Sequence, residues 1–268
     1  PLDGGIDTTI AAMACARAVK KLGWEAGNVI GVITLCEGIT RATTNRAIGL
    51  ARNLNFSQCH YDINEQLNSR LEFLGVDKAK ESKLVVNVRE RIRLGLAVDI
   101  ADQISGMLVL GYNMTSIAID EVQIPVKDAC LINAGIPKTV MRFLLIYIMT
   151  QQEDHRQLIM VLQAVLAETA GGASPNQSAA REAAEQIIFT PLQMNDFFLY
   201  HVIKHGFSPL KLMRLAEKAF GKQLDQFRVY DCLKNFIEKF FSFNLTFKFS
   251  NTFNPLKNPE IEHEITII

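Results

Sequence analysis

A surplus of charge is the first thing the sequence lacks. Twenty-eight Lys and Arg residues face twenty-eight Asp and Glu. The overall balance therefore gives no footprint for nucleic acid or an anionic membrane, and neither is expected as a partner. Cysteine is sparse as well. Cys15, Cys36, Cys59, Cys130 and Cys232 are odd in number, far apart, and never spaced CxxC. That argues against a disulfide framework and a structural zinc site, and it suits a reducing cytoplasm, the compartment expected. Long apolar runs are also missing. The longest, Val140 to Met149, is interrupted by Arg142 and is too short to span a bilayer.

What is present is apolar mass in a periodic arrangement. With 49% hydrophobic and 21% charged residues in 268, the chain can build one large α/β domain. Asp7 to Leu22 reads as an Ala-rich helix stopped by Gly23. Asn28 to Thr34 is a β-branched run of the buried parallel type. Helices follow over Thr43–Leu54 and Val85–Ile104, with short strands over Cys59–Ile63 and Gly106–Gly111. This alternation implies an α/β fold with a parallel sheet flanked by helices, its ligands beyond the carboxyl ends of the strands.

The second half reads differently. Lys138–Gln151, Gln157–Thr169, Ala179–Ile187, Asn195–His205, Pro209–Phe220 and Gln226–Phe241 are helical by period, and Gly171–Ser178 is a loop. Ser208 is a candidate N-cap ahead of Pro209. The expected organisation is an α/β part over residues 1–150, a helical C-terminal part of the same domain over 151–242, and an extended tail over 243–268. Pro1 to Gly5 reads as the end of a strand entering a turn, so a strand is expected ahead of it.

That turn carries the clearest chemical signal. Asp3-Gly4-Gly5-Ile6-Asp7-Thr8-Thr9 lies between a strand end and a helix start. Glycines let backbone N–H groups approach an anion, and the helix N-terminus adds partial positive charge. Thr8 and Thr9 carry hydroxyls that can reach phosphate oxygens, and Asp7 is a candidate Mg²⁺ ligand. An ordinary turn with Asp7 or Thr8 capping the helix fits the same seven residues.

The turn resembles the SGGxDS/T pyrophosphate loop of the ATP pyrophosphatases, specifically of the NAD⁺ synthases. Asn28 to Ala47 resembles that family's second strand and helix, and Arg89-Glu90-Arg91 its Ala-Arg-x-Arg segment. Ile136-Pro137-Lys138-Thr139 resembles its Val-Pro-Lys-Thr. Asp196 to Tyr200 with Gly206 to Pro209, and then Lys239 to Ser242, are similar to blocks in the synthetase domain of the glutamine-using members. The resemblance implies an adenine nucleotide α-hydrolase-like fold and an amide ligase. ATP adenylates the carboxylate of nicotinic acid adenine dinucleotide, and ammonia from a glutaminase domain or from solution converts the adenylate to NAD⁺. It further implies ATP and pyrophosphate binding by Asp3, Gly4, Gly5, Asp7, Thr8, Thr9 and Lys138. Arg89 and Arg91 fall to the dinucleotide, Mg²⁺ to Asp7, and a homo-oligomer, with an apolar face at Leu144 to Met149, is the expected assembly.

Several positions depart from the family pattern. The loop Ser is Asp3; the Thr of the Gly-Thr motif is Tyr112, its Asp or Asn is Met114, and its Glu is Ile117. A carboxylate about 4 Å from a phosphate charge is disfavoured by roughly 4 kcal/mol at an effective dielectric near 20. Ile cannot coordinate a hard cation. Further departures are Val85, Ile124-Pro125 and Glu185-Gln186-Ile187. A catalytically silent relative is therefore the alternative to an active enzyme. Arg89 and Arg91, two apart on a helix, cannot both face one site. Cys59-His60 and the i, i+4 pair His201 and His205 read as structural rather than as a dyad or a metal site.

Overall fold

Ile30–Leu35 (β1) is apolar on both faces and must be covered on both. It pairs in parallel with Ser57–Asp62 (β2), in a register running from Ile30 opposite Ser57 to Leu35 opposite Asp62. The crossover between them is a helix, Arg41–Asn53 (α2), which starts where the Thr40 hydroxyl accepts the Thr43 N–H at 3.2 Å. Leu108–Leu110 (β3) and Ala129–Leu131 (β4) form a second parallel pair, with Leu108 opposite Ala129. The structure, a computed structural model, describes residues 1–76, 82–119, 129–152, 155–169, 191–221 and 224–245. The expected loop at Gly171–Ser178, the helix at Ala179–Ile187 and most of the tail lie outside them.

The parallel α/β class expected from the alternation is the class observed, as two two-stranded ladders among the described residues. Ile6–Lys21 (α1) follows the glycine turn, and Leu2 just before it donates to the Val32 carbonyl of β1 at 2.7 Å. Asn64–Phe73 (α3) is a helix that the periodicity did not show. Its buried stripe is only Leu67 and Leu71, which pack with Val85, Val88 and Ile92 of Lys83–Gln103 (α4). Met114–Ile119 (α5) is also unforeseen, a single short helix after β3. Lys138–Thr150 (α6), Arg156–Thr169 (α7), Pro191–His205 (α8), Pro209–Phe220 (α9) and Gln226–Leu245 (α10) complete the described elements. Ser208 takes the N-cap position of α9 with extended backbone, but its side chain makes no capping hydrogen bond. No helix among the described residues is long and apolar enough to cross a membrane.

The chain divides into two compact units. One comprises Pro1–Asn113, Val122–Ile136 and Val140–Ile187; the other comprises Met114–Glu121, Pro137–Thr139 and Ile188–Ile268. In the first unit, Ile6 and Ile10 of α1, Leu50 and Ala51 of α2, Met141 and Leu145 of α6, and Leu158 and Leu162 of α7 bury against Ile33 of β1. In the second, α5, α8, α9 and α10 close round Met194, Phe198, Val202, Leu212, Val229, Leu233 and Phe236. Along α8 and α10 these recur at three- and four-residue steps, the spacing of a single buried face.

Phe198 is wholly buried, its ring centroid 5.4 Å from that of Phe236. Phe198→Ala should lower the unfolding free energy by about 3–5 kcal/mol, since the surrounding helices cannot close the void. Chemical denaturation of the two proteins measures this directly, and a loss under about 1 kcal/mol would mean that the site collapses or is not the core.

Candidate functional site

The start of α1 lies at the carboxyl edge of the strands, and backbone contacts hold it there. Gly111, the residue after β3, comes so close to α1 that a Cβ on it would lie 2.7 Å from the Asp7 carbonyl oxygen and 3.0 Å from the Thr8 nitrogen. Only glycine fits such an approach. Asn133, just past β4 and wholly buried, donates its side-chain amide to the Asp7 carbonyl at 2.9 Å and to the Gly111 carbonyl at 3.0 Å. Gly4 turns with a φ of 77° against the first turn of α2, where a Cβ would meet the Thr43 carbonyl at 2.3 Å. Arg46 of α2 fastens the same place, its Nε donating to the Gly4 carbonyl at 3.1 Å and its guanidinium to the Thr43 hydroxyl at 3.1 Å.

The side chains of the turn mostly bond to the turn itself. Oδ1 of Asp3 accepts the Gly5 N–H at 2.8 Å and also the Thr8 hydroxyl. The Thr9 hydroxyl is buried and donates to the Gly5 carbonyl at 2.7 Å, one turn back along the helix. Asp7 is half-buried in the first turn of α1. Of the hydroxyls that the sequence offered to a phosphate, one ends on a carboxylate and the other on the backbone.

A guanidinium answers Asp3. Arg93 of α4 has its Nη2 3.9 Å from Oδ2 of Asp3 and its Nη1 2.8 Å from Glu90. Arg93 is the more deeply placed partner, 12% exposed against 41% for Asp3. Burial pushes the Asp3 carboxyl up, but Arg93, the Thr8 hydroxyl and the Gly5 N–H together outweigh burial and hold it below its ordinary value. Tyr112 lies in the same field; burial first, and then Glu90, pushes its hydroxyl up. Arg89, four residues before Arg93, is half-buried with its guanidinium against Gly38, while Arg91 is exposed. Arg93 lies outside the Arg89-Glu90-Arg91 segment that resembles the family's. The signal that could have found it was the i, i+4 spacing from Arg89, which keeps two side chains on one face.

Lys138 belongs to the second unit, so the structure does not group it with the turn. There its backbone N–H donates to the Thr115 hydroxyl at 3.0 Å. Buried Asp196 accepts the Thr115 hydroxyl on one oxygen, and the Thr139 N–H at 2.7 Å and hydroxyl at 2.6 Å on the other. This network satisfies the first turn of α6, where backbone N–H groups have no helical partner. Met114 and Ile117 also lie in this unit, on α5. Sequence reasoning missed the network, because only the family likeness marked Asp196 and nothing tied it to residues 81 and 57 positions away.

The other candidates are structural among the described residues. His201 stacks on Phe207 with ring centroids 5.5 Å apart, and His60 pairs with Gln58 at 3.0 Å. No group of three or more His, Cys, Asp or Glu able to hold a metal occurs there. A Mg²⁺ at the turn would depend on Asp7 and on phosphate oxygens brought by a ligand. A phosphate group entering the turn as it stands has to displace Asp3 from the Gly5 and Thr8 donors.

Parallel strands, helical cover and a glycine turn feeding a helix at the carboxyl edge define an α/β protein of the parallel, helix-flanked class. Residues 1–119 match the family model described as NAD synthase. The chain is 26% identical over 228 residues to the glutamine-dependent NAD(+) synthetase of Mycobacterium bovis, covering 82% of this chain and 33% of that protein. To the Mycobacterium leprae protein of the same description it is 24% identical over 289 residues, covering 98% of this chain and 42% of that one. It thus spans about a third to two-fifths of the length of these relatives. The fold is similar to that of a glutamine-dependent NAD(+) synthetase from Cytophaga hutchinsonii, at a TM-score of 0.64 and 12% identity over 91% of this chain and 44% of that one. It is similar also to the NH3-dependent NAD synthetase of Campylobacter jejuni, at a TM-score of 0.53 and 16% identity over 94% of this chain and 87% of that one. The first 119 residues thus match the NAD synthase family model, and most of the chain is similar at low identity to NAD(+) synthetases.

The Asp3 contacts make a pH-dependent contribution with a definite sign. A carboxyl held below its ordinary value stabilises the fold above the usual Asp range and loses that contribution as pH falls through the folded-state value. Asp3→Asn should therefore be less stable than the unaltered chain near neutrality, by under about 1 kcal/mol because the pair is partly exposed. The gap should close in acid. Urea midpoints of both proteins from pH 7 down to pH 3 test this, and a gap that widens in acid would reverse the sign.

Proposed function

We propose that this chain is the ATP-using part of an NAD⁺-forming amide ligase. In that reaction ATP adenylates the carboxylate of nicotinic acid adenine dinucleotide, pyrophosphate leaves, and ammonia displaces AMP to give the amide. The supporting observation is the convergence of the glycine turn, the N-terminus of α1 and Gly111 at the carboxyl edge, held by Asn133. In this reading Gly4, Gly5, Thr8 and Thr9 line the pyrophosphate side and Asp7 holds Mg²⁺. Arg89, half-buried on α4 in the same unit as the turn, serves the dinucleotide. Catalysis in such a site comes from positioning and charge neutralisation rather than from a covalent protein intermediate. An upstream glutaminase domain is the ammonia source proposed, in line with the glutamine dependence named for the Mycobacterium relatives.

A second reading, a silent relative that holds an assembly or binds a nucleotide without turnover, has specific support. Asp3 takes the turn's donors, and Tyr112, Met114 and Ile117 stand where the family pattern has polar groups. AMP and NAD⁺ formation from ATP, Mg²⁺, ammonium and nicotinic acid adenine dinucleotide decides between them. Turnover at about 1 per second or faster, the ordinary range for enzymes, supports the ligase and ends the silent reading. No product above the protein-free control ends the ligase reading for this chain.

Self-association belongs to both readings. The apolar face expected at Leu144 to Met149 is mostly spent on the core, where Leu144, Leu145, Ile146, Ile148 and Met149 pack, whereas Phe143 and Tyr147 on α6 are 59% and 58% exposed, with Val140 on the same face. Large apolar side chains clustered in this way mark a surface that another protein covers. Sedimentation at micromolar concentration should give a homodimer or a larger oligomer, and a monomer throughout would remove this part of the proposal.

A further inference from the structure

The donors of the glycine turn already have an anion. The Gly5 N–H and the Thr8 hydroxyl converge on one oxygen of Asp3, and the guanidinium of Arg93 faces the other. A carboxylate oxygen accepts hydrogen bonds as a phosphate oxygen does and carries the same sign of charge. We propose that Asp3 is a resident anion of the turn: its carboxylate occupies the donor set that a phosphate group would use, and it keeps phosphate-bearing ligands out. The inference rests on the reading of the turn as the family's pyrophosphate loop, and it adds an autoinhibitory contact to that reading.

Three observations carry it beyond simple charge repulsion. The donors are engaged at hydrogen-bonding distance, so an incoming phosphate has to displace the carboxylate before it gains them. The remaining hydroxyl, that of Thr9, is buried on the Gly5 carbonyl and offers no replacement. The turn itself is pinned, with the Gly4 backbone against the start of α2 and the Gly4 carbonyl held by Arg46, and both contacts oppose its opening to admit a second anion. Arg93, mostly buried and facing Asp3, then has a counter-ion supplied by the chain rather than by a ligand.

The test titrates the purified chain with inorganic pyrophosphate and Mg²⁺, alongside Asp3→Ser and Asp3→Asn. Asp3→Ser frees the donors and removes the charge; Asp3→Asn keeps the bulk and removes the charge. The unaltered chain should show no saturable binding up to millimolar pyrophosphate, and Asp3→Ser should bind at least about tenfold more tightly than that limit, the size expected when charge-assisted hydrogen bonds pass to the ligand. Asp3→Asn should fall between them. Equal affinity in all three proteins overturns the proposal and leaves the ligase reading intact. A gain in Asp3→Ser without NAD⁺ formation supports the proposal and counts against the ligase. Asp3 also ties the turn, so a variant that melts is answered by the unaltered chain. There the Gly5 amide resonance should stay in place as pyrophosphate reaches millimolar concentration, and a saturable shift at Gly5 overturns the proposal whatever the variants do.

Discussion

The approach of the α1 backbone to Gly111 governs the geometry of the strand edge. With the Asp7 carbonyl within 2.7 Å of where a Cβ would stand, helix and strand end meet with no side chain between them. Asn133, itself buried, then bridges the two carbonyls from one amide and satisfies both acceptors. Once that contact is made, the glycine turn has one position available, between α1 and the start of α2. Arg46 fixes its far side. The remaining freedom at this edge is the choice of anion for the turn, and that choice separates a nucleotide site from a closed one.

The sequence showed this architecture to unequal depth. Strand β1 and helices α1, α2 and α4 were legible because each carries its full period within one segment. Helix α3 was not, since Leu67 and Leu71 alone make its buried stripe and the rest of it is polar. Strand β4 spans three residues, too few for any periodicity to register. The glycine turn was legible as chemistry because its residue types limit what it can do. Its hydrogen bonds were not: that Asp3 accepts from Gly5 and Thr8 depends on the path of five residues of backbone. Arg93 and Asn133 stayed hidden for a related reason. Each acts on a part of the chain distant in sequence, and no local pattern records such a pairing.

The Asp3–Arg93 pair also bears on how a site of this kind loses a ligand. Removing a phosphate from the turn would leave one side of the mostly buried Arg93 guanidinium, whose other side is held by Glu90, without an anion, which is unfavourable. A carboxylate placed at the turn restores the charge balance and keeps the local fold. Stability and ligand affinity thus compete for the same donors. The family likeness and the intact cores are compatible with either outcome, because neither depends on which anion the turn holds.

The second unit is drawn from three separate stretches of chain. Thr115 and Thr139 bond to Asp196, and Thr115 precedes it by 81 positions. On a ribosome adding about 5–20 residues per second, that separation leaves Thr115 waiting roughly 4–16 s for its acceptor to be made. During that interval α5 has no Asp196 to anchor it and no α8 or α10 to cover Ile119. Vectorial synthesis therefore completes this unit after the first, and a chain stalled before α8 would leave the apolar face of α5 open to other unfinished proteins.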